Sequence, residues 1–124
     1  MKKQNFSYTP IFNILENIRL LIMTENNYFY VIIKPLRHDF LTNPDEEEAK
    51  IMSDHYHYLK SLLEQKKLYL AGPTLITEDP FGLIIFDTET EEEARILLEN
   101  DPSIIAGIQK IVDLRPIRLS LTRK

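Results

Sequence analysis

The sequence predicts an α+β fold, a ferredoxin-like β-α-β-β-α-β sandwich with both helices on one face of a four-stranded antiparallel sheet. Three observations carry this. Two runs, Tyr28 to Ile33 and Phe81 to Phe86, are aromatic and β-branched and apolar on both alternations, as strands covered on two faces must be. Two amphipathic segments each open on a helix-capping signal. Gly-Pro and Asp-Pro breaks separate the segments at the places such a topology needs them.

The first strand is Tyr-Phe-Tyr-Val-Ile-Ile, closed by Pro35, with Tyr28/Tyr30/Ile32 on one side and Phe29/Val31/Ile33 on the other. Asn43-Pro44-Asp45-Glu46 then predicts a helix start, with Asn43 as cap, Pro44 at the first helical position and Glu46 completing a box-like spacing. The acidic run Asp45 to Glu48 reads as carboxylates placed against the positive end of a helix macrodipole, not as a metal site. This helix extends to about Lys66, with Ala49, Met52, Tyr56, Leu59 and Leu63 on its expected core face. Leu68 to Ala71 makes a short second strand, broken by Gly72-Pro73. Phe81 to Phe86 is the third. Thr90-Glu91-Glu92-Glu93 is a capping box for a second helix with Ala94, Leu97 and Leu98 inward. Asp101-Pro102 stops that helix and begins a short turn, ended by Gly107, and Ile108 to Leu121 supplies the last strand.

Right-handed crossovers place the strands in the order 4-1-3-2, with the two doubly apolar strands central. Pro116 agrees with that order, since an edge strand tolerates proline. Helices cover one face only, so a second copy of the chain is the simplest cover for the other.

At 124 residues the chain holds one such domain, burying roughly two-thirds of its unfolded surface. A net charge of −4 and a pI near 5.4 exclude a phosphate backbone as the natural partner. With no cysteine there is neither disulfide nor thiolate chemistry, and a reducing compartment is compatible with that. Residues 1–26 form an N-terminal extension and 27–121 the domain. Within the extension, Ile11 to Met23 is apolar, but Glu16 and Arg19 interrupt it and no cleavage site follows, which argues against a signal peptide or membrane span. Ile11, Ile14, Leu15, Ile18, Leu21 and Ile22 recur at helical spacing. Two readings stand side by side: a docked accessory helix, or a natural start at Met23 with Met1 to Ile22 arising from an upstream start codon.

Three histidines are the candidates for proton transfer. His57 shares its helix side with Ser53, Ser61 and Glu64 and reads as solvated. His55 lies on a stripe with Met52, Leu59 and Leu62, so its imidazole should be partly buried, and a core-edge histidine bonded to a carbonyl is the structural alternative to a functional one. His38 belongs to the loop after the first strand. Two residues apart on a helix, His55 and His57 cannot chelate one ion, so no metal site is expected. By position, Asp101 is a helix N-cap, Asp39 a turn residue and Arg37 a solvated charge. No phosphate loop, nucleophile elbow or dinucleotide fingerprint is present, and no cofactor is expected.

An ordered series of short motifs goes further. Lys34-Pro35-Leu36-Arg37-His38-Asp39-Phe40 is followed by the acidic helix start and His55, then by Leu59-Lys60-Ser61-Leu62-Leu63 and Leu70-Ala71-Gly72-Pro73. Pro80-Phe81-Gly82, Glu91-Glu92-Glu93-Ala94, Asn100-Asp101-Pro102 and Ile105-Ala106-Gly107 complete it. From Tyr28 to about Leu119 the chain resembles the YCII-related (YciI-like) domain family of the dimeric α/β-barrel superfamily. That resemblance implies a homodimeric, cytoplasmic protein that binds a small molecule and needs neither nucleic acid nor membrane. It also implies a catalytic histidine–aspartate pair. A helix histidine about sixteen residues before an Ala-Gly-Pro turn selects His55, and the Asp-Pro motif selects Asp101, with Asp39 the alternative partner. Arg37, Phe40, Gly72 and Pro73 are the implied substrate-binding residues. Two positions depart from the pattern: His38 stands where proline is commoner, and Gln65-Lys66-Lys67 lacks the usual glycine. Two functions fit. One is a cofactor-free enzyme using a His-Asp pair for lyase, dehalogenase or isomerase chemistry on a small cyclic or aromatic substrate. The other is a non-catalytic dimeric ligand-binding or regulatory module.

Overall fold

A computed structural model of the chain describes residues 14–15, 28–37, 39 and 42–123. The expectations for the extension, for His38 and for Phe40 lie outside these residues. Strands β1 (Tyr28–Pro35), β2 (Leu68–Pro73), β3 (Gly82–Asp87) and β4 (Gln109–Ile117) form one antiparallel sheet in the order β2-β3-β1-β4, as expected. Helix α1 (Glu46–Glu64) links β1 to β2, and α2 (Glu91–Glu99) with the short α3 (Pro102–Ile105) links β3 to β4. This is the ferredoxin-like α+β arrangement. Pro116 lies on β4, an edge strand.

The core forms where the helices meet the sheet. Along β1 burial alternates strictly, with Phe29, Val31 and Ile33 almost wholly buried, and their cross-strand partners Phe86 and Ile84 continue the same face. Leu59 and Leu62 of α1, Leu68 of β2, and Ala94 and Leu98 of α2 close over them. Each large side chain buried this way contributes about 1.5–3 kcal/mol. The opposite face, turned away from α1 and α2, carries Tyr28, Tyr30, Ile32, Leu83 and Ile85, of which Ile85 is buried.

Two details of α1 differ from the expectation. Its cap is Asp45, not Asn43: the Asp45 carboxylate accepts the Glu48 N–H at 2.7 Å, and Glu48 reciprocates on the Asp45 N–H at 3.0 Å. A charged cap two residues later gains from the macrodipole what Asn43 could not, and leaves Pro44 outside the helix. The buried stripe is also narrower than expected. Only Leu59 and Leu62 are buried, while Ala49 is exposed, Tyr56 is 60% exposed and Leu63 48%. Tyr56 and Leu63 sit one step around the helix, over the gap beside the β2 edge, where no element among the described residues fills the space.

The second capping box is half formed. Thr90 accepts the Glu93 N–H, but the Glu93 carboxylate reaches the Glu89 N–H instead of that of Thr90. At their C-termini, α1 and α3 end alike. Lys66 and Gly107 both take positive φ, 63° and 75°. Lys67 N–H bonds to Leu62 O and Lys66 N–H to Leu63 O; Ile108 N–H bonds to Ser103 O and Gly107 N–H to Ile104 O. Both are Schellman motifs, one on glycine and one on lysine.

Candidate active site

Asp101 follows α2 and caps α3, with φ −67° and ψ 128°. Such a cap aims its carboxylate back at the first turn, and Asp101 Oδ1 accepts the Ser103 N–H at 2.8 Å. The capping role accounts for one oxygen only. The other, Oδ2, lies 2.7 Å from Nδ1 of His55 on α1. Asp101 is fully buried and the His55 side chain is 13% exposed. A buried carboxylate must be supplied with donors to be tolerated, and Asp101 has three: the His55 ring, the Ser103 amide and the Ser103 hydroxyl at 2.9 Å. An ionised aspartate only accepts, so Nδ1 is the donor in this contact, and in the neutral imidazole the lone pair then falls to Nε2.

Two further groups belong to this cluster. The Ser103 hydroxyl also lies within hydrogen-bond distance of the Gln109 carboxamide, at the start of β4. The turn after α3, made possible by Gly107, brings these two residues together. On α1, Tyr58 donates to the Leu97 carbonyl at 2.7 Å. Burial, and then the charge of Asp101, push its phenol pKa up, so Tyr58 stays a neutral donor.

His55 opens on a cleft of about 620 Å³ between α1 and the β2 side of the sheet. Met52, Tyr56, Leu59, Lys60 and Leu63 form its helix wall; Ile33, Pro35, Leu68 to Pro73, Phe81 to Ile84 and Gln109 form the rest. Its size suits a small molecule, and its mostly apolar wall with a few convergent polar groups suits a ring bearing polar substituents.

Of the residues singled out in the sequence, the structure joins His55 to Asp101 and sets Gly72 and Pro73 in the same cleft wall. It places Arg37 and Asp39 elsewhere. Arg37 Nη1 holds Asp39 Oδ1 at 2.7 Å, and Nη2 holds Glu48 and the Asn43 carbonyl, so this group ties the loop after β1 to the start of α1. Neither residue lines the cleft; the cation that does is Lys60. His57 is exposed, its Nδ1 on the Ser53 carbonyl at 2.8 Å. Ser103 and Gln109 were not foreseen. The signal for Ser103 was the Asp-Pro-Ser spacing of a cap. The signal for Gln109 was a polar residue on the inward alternation with Ile111. Among the described residues no group of three histidine, cysteine or acidic side chains converges as for a metal ion, and no helix is long and apolar enough to cross a membrane.

Comparison with known proteins is consistent with this fold. The model of the YCII-related domain matches residues 28–118. No curated protein matches the chain. Among solved structures, 5-chloro-2-hydroxyhydroquinone dehydrochlorinase from Burkholderia phenoliruptrix, in complex with 2,5-dihydroxybenzoquinone, is similar with a TM-score of 0.54 and 22% identity. The match covers 72% of this chain and 92% of that one. At that identity the likeness speaks for the fold.

Proposed function

The chain belongs to the YCII-related domain family, and from that premise we propose that it is a cofactor-free enzyme whose His55–Asp101 pair performs acid–base chemistry on a small cyclic or aromatic substrate. The observation that carries this is the 2.7 Å contact between a buried carboxylate and an imidazole lining an apolar cleft. Asp101 holds the Nδ1 proton and stabilises the imidazolium that forms when Nε2 takes a proton from a ring O–H or C–H. In an elimination, the electron pair freed by that proton expels a leaving group from the ring. In an isomerisation, the imidazolium returns the proton to another ring atom. The similar dehydrochlorinase, with its bound dihydroxybenzoquinone, supports a hydroxylated ring and the elimination branch.

The working unit in this reading is a cytoplasmic homodimer in which the sheet face away from α1 and α2 packs on its counterpart to form the barrel. Light scattering at micromolar concentration should give twice the chain mass, and a monomer would remove that part of the reading. The test of the chemistry is a screen of small cyclic acids and quinol-like compounds, first for binding and then for turnover. Turnover that persists in a folded His55→Gln protein would end the catalytic reading. Binding without turnover by any compound would favour the ligand-binding module instead.

A further inference from the structure

The Ser103 hydroxyl has one proton and two acceptors competing for it. Its Oγ lies 2.9 Å from Asp101 Oδ1 and 2.9 Å from the near terminal atom of the Gln109 carboxamide. His55 Nδ1, at 3.4 Å, offers no alternative, because its proton goes to Asp101 Oδ2 at 2.7 Å. A charged acceptor makes the stronger bond, roughly twice that of a neutral one. If Ser103 donated to Gln109 instead, its oxygen would face a buried carboxylate oxygen with no proton between them. Ser103 therefore donates to Asp101, and its lone pair must be met by a donor from Gln109. A carboxamide supplies one by a half turn of its terminal torsion, which places Nε2 against Ser103 and exchanges the oxygen to the other side.

Gln109 is 6% exposed, lines the cleft, and has no side-chain partner other than Ser103 among the described residues. No fully buried side-chain nitrogen or oxygen there lacks a hydrogen-bond partner, so the outer amide atom is not sealed away. We propose that Gln109 is the specificity-determining residue of this cleft, its carboxamide oxygen turned toward the ligand to accept a hydrogen bond from a hydroxyl on the bound ring. This rests on the ring-substrate reading above and adds to it the substituent that is recognised. The chain of groups from His55 through Asp101 and Ser103 to Gln109 couples the proton carrier to a fixed acceptor. Ring orientation and base orientation are then set by the same carboxylate.

Two measurements on the full chain decide it. In the first, side-chain amide exchange is followed by NMR on the unliganded protein. With Nε2 bonded to Ser103, one Gln109 amide proton should exchange slowly; two rapidly exchanging protons would overturn the orientation. In the second, hydroquinone and its dimethyl ether, 1,4-dimethoxybenzene, are titrated into the native chain and into Gln109→Met, which keeps the length and apolar bulk. The native chain should prefer hydroquinone by about tenfold, the scale of one net hydrogen bond, and Gln109→Met should lose that preference while still binding the ether. A preference that survives in Gln109→Met overturns the proposal. No hydroquinone binding by the native chain, with one amide proton still protected, overturns the ring reading and the ligand named here but not the orientation of Gln109.

Discussion

Two ionic clusters, each built on an aspartate, lie at opposite ends of the exposure scale. In one, Asp101 at 0% exposure holds His55, Ser103 and a cap; in the other, Asp39 and Glu48 hold Arg37 with the guanidinium 43% exposed. Both contacts to aspartate measure 2.7 Å. Distance does not separate them; burial does. Water screens the Arg37 cluster and offers each member another partner, so losing one costs little. Around Asp101 every donor and acceptor depends on another member, so removing one strands the rest.

The largest expected difference is catalytic. On whichever cyclic substrate turns over, His55→Gln should reduce kcat by roughly 100-fold or more with the fold intact, whereas Arg37→Ala should change it little. Equal losses in the two variants would erase the distinction. Next comes stability. Asp101→Ala removes three hydrogen bonds, the cap among them, and should cost about 3 kcal/mol, a fall in Tm of about 10 °C, while Asp39→Ala should stay under about 1 kcal/mol. Thermal melts of the two variants side by side check this.

A third, half-buried pair sharpens the rule from the other sheet face. Tyr30 donates to Asp113 at 2.6 Å, which raises the Tyr30 pKa and lowers that of Asp113. The bond's contribution is present through neutral pH. It is lost as pH falls through the depressed Asp113 value and as pH rises through the raised Tyr30 value. Ultraviolet titration should show three tyrosines, Tyr28, Tyr30 and Tyr58, ionising above the ordinary value, and Asp113→Asn should move one of them, Tyr30, downward; an unchanged titration would mean the bond is absent in solution. The smallest effect belongs to Gly72→Ala. A Cβ there meets nothing within 4 Å, so stability should hold within about 0.5 kcal/mol, and any loss of ligand binding reports contact with the ligand itself.

Local signals in the sequence carried most of the frame. Doubly apolar Tyr28 to Ile33 and Phe81 to Phe86 became the central strands, Asp101 the cap of α3, and Gly107 its C-terminal turn. What failed was decided by neighbours distant in sequence. Tyr56 and Leu63 carry the helical period of a core face, but whether that face meets a strand or an empty cleft depends on where β2 ends the sheet. Asp39 and Asp101 could not be ranked as partners of His55, because burial belongs to the fold and not to the residue. Ser103 and Gln109 became visible only when the turn after α3 folded one onto the other.

The lysine that ends α1 has a practical use. Lys66 occupies a left-handed position that glycine fills at the equivalent point after α3, and a side chain there costs about 1–2 kcal/mol. Lys66→Gly should recover about 1 kcal/mol after the loss to chain entropy. The position is exposed and does not line the cleft. It is a reserve of stability left undrawn by the natural chain, and a background in which damaging variants of Asp101 or Ser103 can be kept folded long enough to assay.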